Sequence, residues 1–420
     1  MRRLIHRSLA LTLLAGSFNA AHSQPIDPKV QARIDRILER TPLIDGHNDV
    51  AEILRDYYGM SVEGLASGGA KRAKPLMTDM ARLREGRVGG QFWSVWIDGT
   101  VTADEAIRQT LEQIDIVSRM IATYPQDLEQ AYTADDVERI HKTGRIASLI
   151  GIEGGRQIGG SLAALRQFYR LGTRSMTLTH DQTTEWADSG SDDPKYDGLS
   201  PFGLEVVKEM NRLGMLIDLS HVSPATMKDA IAASRTPVIF THSNARSLTD
   251  HPRNVPDDVL RLMKENGGVV MATFVPRFLS VAAWQRFADR RAEEARLRAL
   301  NPQSSERVKT ELEKWEAAHP SPAVTASDVA DHVDHVVRIA GHDHVGIGGD
   351  FDGITLTVDG LDGVEDYPNL FAELIRRGWS DANLAKLAGG NILRVMRRAE
   401  AVAASLKDQP ASLAVLEPAE

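Results

Sequence analysis

A closed α/β barrel is the fold class this sequence predicts, and three observations predict it. Eight short runs rich in apolar and β-branched residues alternate with stretches of helical pattern, as parallel strand–helix units require. Six of those runs close on His, Glu or Asp, and a barrel gathers such residues because the C-terminal ends of its strands share one mouth. The chain has 420 residues, 42% hydrophobic and 25% charged, a globular balance that can fill one large core.

In chain order the runs are Leu43 to His47, Phe92 to Ile97, Ala147 to Glu153, Ser175 to His180, Leu216 to His221, Val238 to His242, Gly268 to Phe274 and His344 to Asp350. The polar residues that close them are His47, Glu153, His180, His221, His242 and Asp350. Any one of these reads equally well as a turn residue at a strand end. Residues 24–400 are taken as a single barrel domain, interrupted by a charge-rich segment at 281–320. That segment predicts a helical hairpin inserted after the seventh strand, a solvated excursion in the plain reading and a lid or oligomer contact in the sharper one. Residues 401–420, rich in Ala and charge, predict a peripheral tail.

The first 23 residues predict a secretory signal. Arg2, Arg3 and Arg7 precede an apolar run from Leu9 to Ala15, and Ala21 and Ser23 stand before a cleavage point at Gln24. The run is too short to cross a bilayer, and an amphipathic helix is the alternative reading. Neither a cysteine for lipid attachment nor a hydrophobic C-terminal tail is present, so the expectation is an exported protein, periplasmic or secreted, soluble and without a membrane anchor.

Composition narrows the chemistry. A formal net charge of -9 offers no basic field for a phosphate backbone, which argues against nucleic acid. The absence of Cys removes thiolate ligands and nucleophiles and leaves any metal to imidazoles and carboxylates. In LIDGHND, His47 and Asp49 are two apart; on a strand they face the same way and can reach one cation. Alone, the pair is a weak signal.

In LIGIEGGR, Glu153 ends a buried-looking run, where a carboxylate is costly unless it is paired or binds a metal. LIDLSHVS and VIFTHSNAR place His221 and His242 at consecutive strand ends, suited to sharing an ion. With His47, Asp49 and Glu153 they make five ligands, enough for two ions bridged by one carboxylate. Asp350, in HVGIGGDFDG, is the candidate for proton transfer to and from a reacting water, with Asp352 its local competitor. His180, in MTLTHDQTTEW, suits an oxyanion, and Arg253, in DHPRNVPDD, suits a substrate carboxylate, although a lone loop arginine is commonly a surface ion pair.

Taken together, GHND, the Glu153 segment, LTH, SHVS, HSNAR, RNVPDD and GGDFDG resemble the membrane (renal) dipeptidase family of the amidohydrolase superfamily, from about Leu43 to Met396. The resemblance implies a distorted (β/α)8, TIM-like barrel holding two Zn2+ ions. His47, Asp49 and Glu153 would hold one, and Glu153, His221 and His242 the other, with a metal-bridging water attacking a dipeptide. It implies that Asp350 manages the proton, that His180 binds substrate and polarises its carbonyl, and that Arg253 holds the C-terminal carboxylate. Substrates with a C-terminal D-residue fall within that expectation, and a homodimer follows by analogy.

Ligands of this type also accept manganese, cobalt or iron. The mammalian members' disulfides and lipid anchor do not carry over to a chain without Cys, and TFVPRF stands where an aromatic substrate contact is expected. Two alternatives remain: a metal-dependent hydrolase of another amide, such as an N-acyl amino acid or a lactam, and a non-catalytic periplasmic metal-binding protein. A phosphotriesterase-like reaction fits less well, since HxD and Glu153 stand where that group has HxH and a modified lysine.

Overall fold

Nine parallel strands build the structure, a computed structural model that describes residues 25–416. The expected secretory signal lies outside the described residues. The strands are β1 (Leu43–Asn48), β2 (Val88–Trp96), β3 (Leu128–Gln130), β4 (Ile146–Glu153), β5 (Thr173–Thr177), β6 (Leu216–Asp218), β7 (Ile239–Phe240), β8 (Val269–Ala272) and β9 (Val345–Ile347). Their order is β2-β1-β9-β8-β7-β6-β5-β4-β3, and an additional β2–β4 pairing closes eight of them into a barrel. Each of the eight expected runs forms one barrel strand. β3 is additional: it pairs with the first residues of β4, and its three residues, LEQ, carry no apolar alternation to announce it.

The strands stop earlier than the apolar runs do. His180, His221, His242 and Asp350 stand in loops beyond the ends of β5, β6, β7 and β9. Buried carboxylates account for part of this by capturing backbone N–H groups at the mouth. Asp218 Oδ1 accepts from Ser220 N (3.0 Å) and Thr241 N (2.9 Å), and Asp45 Oδ1 accepts from Gly349 N (2.7 Å). Each such bond satisfies a donor away from the ladder and releases the chain into a loop.

Inside the barrel, Ile44, Phe92, Leu149, Leu216, Ile239, Val269 and Met271 form one apolar cluster with Ile392, Leu393, Val395 and Met396 of the helix Asn391–Ser405. Leu216 and Val269 are the first residues of their strands, so this helix plugs the N-terminal end. Above the apolar layer the interior turns polar, with Ser94, Ser175, Thr177, Asp218 and Thr241 under the mouth. Helices around the outside begin at ordinary signals. Ser200 and Ser223 cap helices that open on Pro201 and Pro224, accepting from Gly203 N and Thr226 N.

The segment after β8 folds as two helices, Val281–Leu300 and Ser305–Ala318, joined through the small cluster Leu297, Val308 and Leu312. The expected boundary near 400 is absent, because the last helix runs to Ser405 with Val402 and Leu406 buried. Beyond it, Ser412 accepts from Arg166 Nη1 through its carbonyl and donates from its hydroxyl to Glu205. The tail is thus anchored at Val402, Leu406 and Ser412, while Leu413 and Val415 stay exposed. Among the described residues no helix is long and apolar enough to cross a membrane.

Close approach of β9 to β7 depends on Gly348, where a Cβ would overlap the Thr241 carbonyl. We expect Gly348→Ala to destabilise the barrel by about 1–3 kcal/mol, the usual result of forcing atoms into a packed interior. A thermal midpoint equal to that of the unsubstituted protein would refute this.

Candidate active site

The mouth of the barrel holds a cavity of about 570 Å³. Asp49, Glu153, His180, His221, His242, Arg253 and Asp350 all line it, and His47 lies buried just beneath. Strand geometry sets some of these side chains and loop geometry the rest. His47 is in β1, and Glu153 ends β4, opposite Trp96 across the closing seam. Asp49 differs from expectation: β1 ends at Asn48, and Asp49 is the N-cap residue of the helix Val50–Tyr58. Its backbone N–H donates to Phe351 O (3.0 Å), which ties it to the Asp350 loop.

Glu153 is the hub. Its Oε2 lies 3.4 Å from His47 Nε2, while its Oε1 lies 2.9 Å from His221 Nε2, 3.3 Å from His242 Nε2 and 3.8 Å from His180 Nε2. His47 Nε2 is also 3.3 Å from Asp49 Oδ2, and His221 Nε2 is 2.9 Å from His242 Nε2. Metal–nitrogen bonds of about 2.0–2.1 Å at tetrahedral angles separate neighbouring donors by roughly 3.3 Å. Both groups of atoms have nearly that spacing. His47 Nε2 and Asp49 Oδ1 are buried without a hydrogen-bond partner, as ligand atoms would be without their ion. The donor set therefore fits divalent cations.

Surrounding groups aim these ligands. Thr241 Oγ1 donates to Asp218 Oδ2 (2.6 Å) and lies 2.9 Å from His242 Nδ1. With its one hydrogen committed, the hydroxyl accepts from Nδ1–H, which leaves the Nε2 lone pair facing Glu153. His221 Nδ1 faces Asp181 Oδ1 at 3.3 Å. Ser189 Oγ lies 2.7 Å from His180 O and 3.3 Å from His221 O, linking the two loops. Backbone strain marks the same places: His221, Asp350 and Asp352 have φ of 71°, 65° and 69°. Such conformations cost about 1 kcal/mol or more each and persist where the surroundings over-determine them.

Electrostatics follow from crowding. Burial pushes the Asp350 carboxyl well above the ordinary carboxylate range, and Asp49 and Glu153 add to this against the pull of His47 and Arg253. Glu153 is held well below its ordinary range despite burial, by His47, His180 and hydrogen bonds from His221 and His242. Burial, then the neighbouring His221, lowers His180 to about 4, so its imidazole is neutral at pH 7. Of the two competing aspartates, Asp350 shares a pocket of ligand atoms with His47 and Asp49. Asp352 is turned aside and accepts from Met77 N (2.8 Å). Gly353 leaves the room needed, since a Cβ there would overlap both Asp49 and Asp350. Arg253 is 4% exposed, with weak contacts to Ser243 Oγ (3.5 Å) and His242 O (3.4 Å), and is no surface ion pair.

The cavity also contains residues that sequence reasoning passed over. Glu52 lines it, one helical turn after Asp49, and burial followed by repulsion from Asp49 and Glu153 raises its carboxyl to about 8. The i, i+3 spacing from Asp49 was the available signal. Arg277, Phe278, Trp284, Phe287 and Arg291 form a wall. Trp284, Phe287 and Arg291 belong to the first inserted helix, so one side of this otherwise largely exposed helix lines the cavity. Asp218 and Thr241 act from beneath, and periodicity alone marks them only as strand residues.

The family model described as membrane dipeptidase (peptidase family M19) matches residues 31–410. The dipeptidase VerJ of Clonostachys rogersoniana is 42% identical over 384 residues, which are 89% of this chain and 88% of that protein. The crystal structure of the probable dipeptidase PvdM from Pseudomonas aeruginosa superposes with a TM-score of 0.75 at 26% identity, covering 89% of this chain and 99% of that one. A metallo peptidase from Rhodobacter sphaeroides, solved with a phosphinate mimic of the dipeptide L-Ala-D-Ala, shares the fold. Its TM-score is 0.69 at 24% identity, over 86% of this chain and 99% of that chain.

Proposed function

This chain belongs to the membrane dipeptidase family and is a metallodipeptidase, and from that premise we propose that it hydrolyses dipeptides with two Zn2+ ions held by five of its side chains. His47, Asp49 and Glu153 would hold one ion, and Glu153, His221 and His242 the other. The observation that carries this reading is Glu153, whose Oε2 faces His47 Nε2 and whose Oε1 faces the Nε2 atoms of His221 and His242. When bound, the cations supply an electrophile for the scissile carbonyl and lower the pKa of the hydrolytic water.

The remaining work falls to the chain. As a carboxylate beside the bound cations, Asp350 takes a proton from the attacking water and passes it to the departing amine, and the raised proton affinity that burial gives it favours holding that proton between the two steps. His180, neutral at pH 7, presents an N–H to the oxygen on which negative charge develops. Arg253 offers a planar fork to the substrate's C-terminal carboxylate in a site from which water is largely excluded. A cavity of about 570 Å³ has room for a dipeptide and its first water, and we extend the substrate range to those with a D-residue at the C-terminal position.

Amine release from L,L and L,D dipeptides is the direct test, run with and without a chelator and with zinc restored. We expect chelator-sensitive, zinc-restored cleavage, and a folded, zinc-loaded protein that cleaves no dipeptide would overturn the reading. Asp350→Asn is expected to lower kcat by about 10²–10⁴ while metal content stays near that of the parent; full turnover would remove Asp350 from proton transfer. Thr241→Val takes away the acceptor of His242 Nδ1–H, and metal affinity measured by competition with a chelator should fall about 10–100-fold. Unchanged affinity would show that the hydroxyl does not orient the imidazole.

A further inference from the structure

Three arginines line the cavity, and the proposed reaction uses one. Arg277 lies on the short helix Pro276–Leu279 directly after β8, and Arg291 lies on the inserted helix. The Arg277 guanidinium carbon stands 4.8 Å from the ring centre of Phe278 and 5.0 Å from that of Phe287. Arg253 stands 5.3 Å from the same Phe278 ring. Two guanidiniums thus rest against one aromatic side chain, with their carbons at most about 10 Å apart. Phe287 in turn stacks on Trp284, with ring centres 5.7 Å apart. Trp284 meets His251, whose Nδ1 accepts from Arg253 N at 3.1 Å.

A cation in such a wall wants an anion. Burial disfavours the charged form of Arg277, and the nearest opposing charges, Asp350 and Asp181, act on it through space rather than through a hydrogen bond. Among the described residues neither Arg277 nor Arg291 has an ion-pair partner. Cation–π contacts with Phe278 and Phe287 hold the Arg277 guanidinium against the wall, and with no ion-pair partner among the described residues its N–H groups can meet a carboxylate. One α-carboxylate occupies one fork, that of Arg253. The second fork therefore calls for a second carboxylate on the same substrate residue.

We propose that Arg277, with Arg291 at the rim, forms an anion subsite for the side chain of the C-terminal residue, so that the preferred substrates are dipeptides ending in glutamate or aspartate. This rests on the dipeptidase reading given above. The two carboxylates of one glutamate, each at hydrogen-bonding distance from a guanidinium, span the separation between Arg253 and Arg277. Side-chain charge is then read by the wall that the inserted helix completes, while the chemistry stays at the barrel mouth.

The test compares Ala-Glu, its isostere Ala-Gln and Ala-Ala as substrates of the zinc-loaded enzyme, and measures binding of free L-glutamate against L-glutamine by calorimetry. Both are repeated with Arg277→Met, which keeps an apolar stem against Phe278 and Phe287. We expect kcat/KM for Ala-Glu to exceed that for Ala-Gln by at least about tenfold, the effect of one charge-assisted hydrogen bond. Glutamate should bind correspondingly tighter than glutamine, and both ratios should approach one in Arg277→Met. Cleavage of all three peptides with a Glu/Gln ratio near one in the parent enzyme would overturn the subsite and leave the dipeptidase reading intact. A preference that survives in Arg277→Met would remove Arg277 from it. If no peptide is cleaved, the dipeptidase reading fails and the calorimetric ratio decides alone: a glutamate preference abolished in Arg277→Met supports the subsite, and equal binding overturns it.

Discussion

A single buried carboxylate organises this protein. Glu153 ends β4, one of the two strands of the closing seam, and histidines from β1 and from the loops after β5, β6 and β7 converge on its two oxygens. A carboxylate removed from water at that depth costs several kcal/mol unless opposite charge and hydrogen bonds answer it. Asp49 and Asp350 stand close by: burial and repulsion from Asp49 and Glu153 hold the Asp350 carboxyl well above its ordinary range, and despite burial Asp49 and Glu153 hold the His47 imidazole above its own. Divalent cations, which these buried nitrogens and oxygens fit, would relieve that crowding. Site and fold are coupled, because the candidate donors come from four different strand–loop junctions and only a closed ring brings those together.

Support for the hub comes from carboxylates that never reach the cavity. Asp45 and Asp218 take backbone N–H groups from neighbouring strands, cut those strands short, and fix the first loop residues that carry the ligands. Asp218 also holds Thr241, which in turn holds His242 in one tautomer. Left-handed backbone at His221 and Asp350 is sustained by this network, since neither residue would choose it alone. Short strands and strained loops are thus the means by which a rigid ring positions side chains at the required spacing.

The inserted helical pair changes what the mouth can recognise. A minimal barrel would leave the side after β8 open to solvent. Here the first inserted helix lays Trp284 against His251 in the loop of Arg253 and Phe287 against Arg277 of the short helix after β8, turning a rim into an aromatic wall with embedded guanidinium groups. The candidate donors come from strand ends and their loops, and the aromatic wall comes from an insertion packed on them.

Much of this was legible in the sequence, and the reasons are physical. Apolar runs bounded by turns reveal strands because a parallel barrel buries both faces, so all eight ring strands were visible while the three-residue β3 was not. His, Glu and Asp at the ends of such runs stand out because buried polar groups are expensive, which made His47, Asp49, Glu153, His221 and His242 readable as one set. Tertiary structure alone decided what depends on contacts between distant segments. It placed Asp49 at a helix start and turned Asp352 away from the cavity that Asp350 faces. It also bound residues 401–416 to the barrel and brought Arg277 and the inserted helix to the cavity wall. Local patterns encode which residues are costly to bury; only the closed ring determines which of them meet.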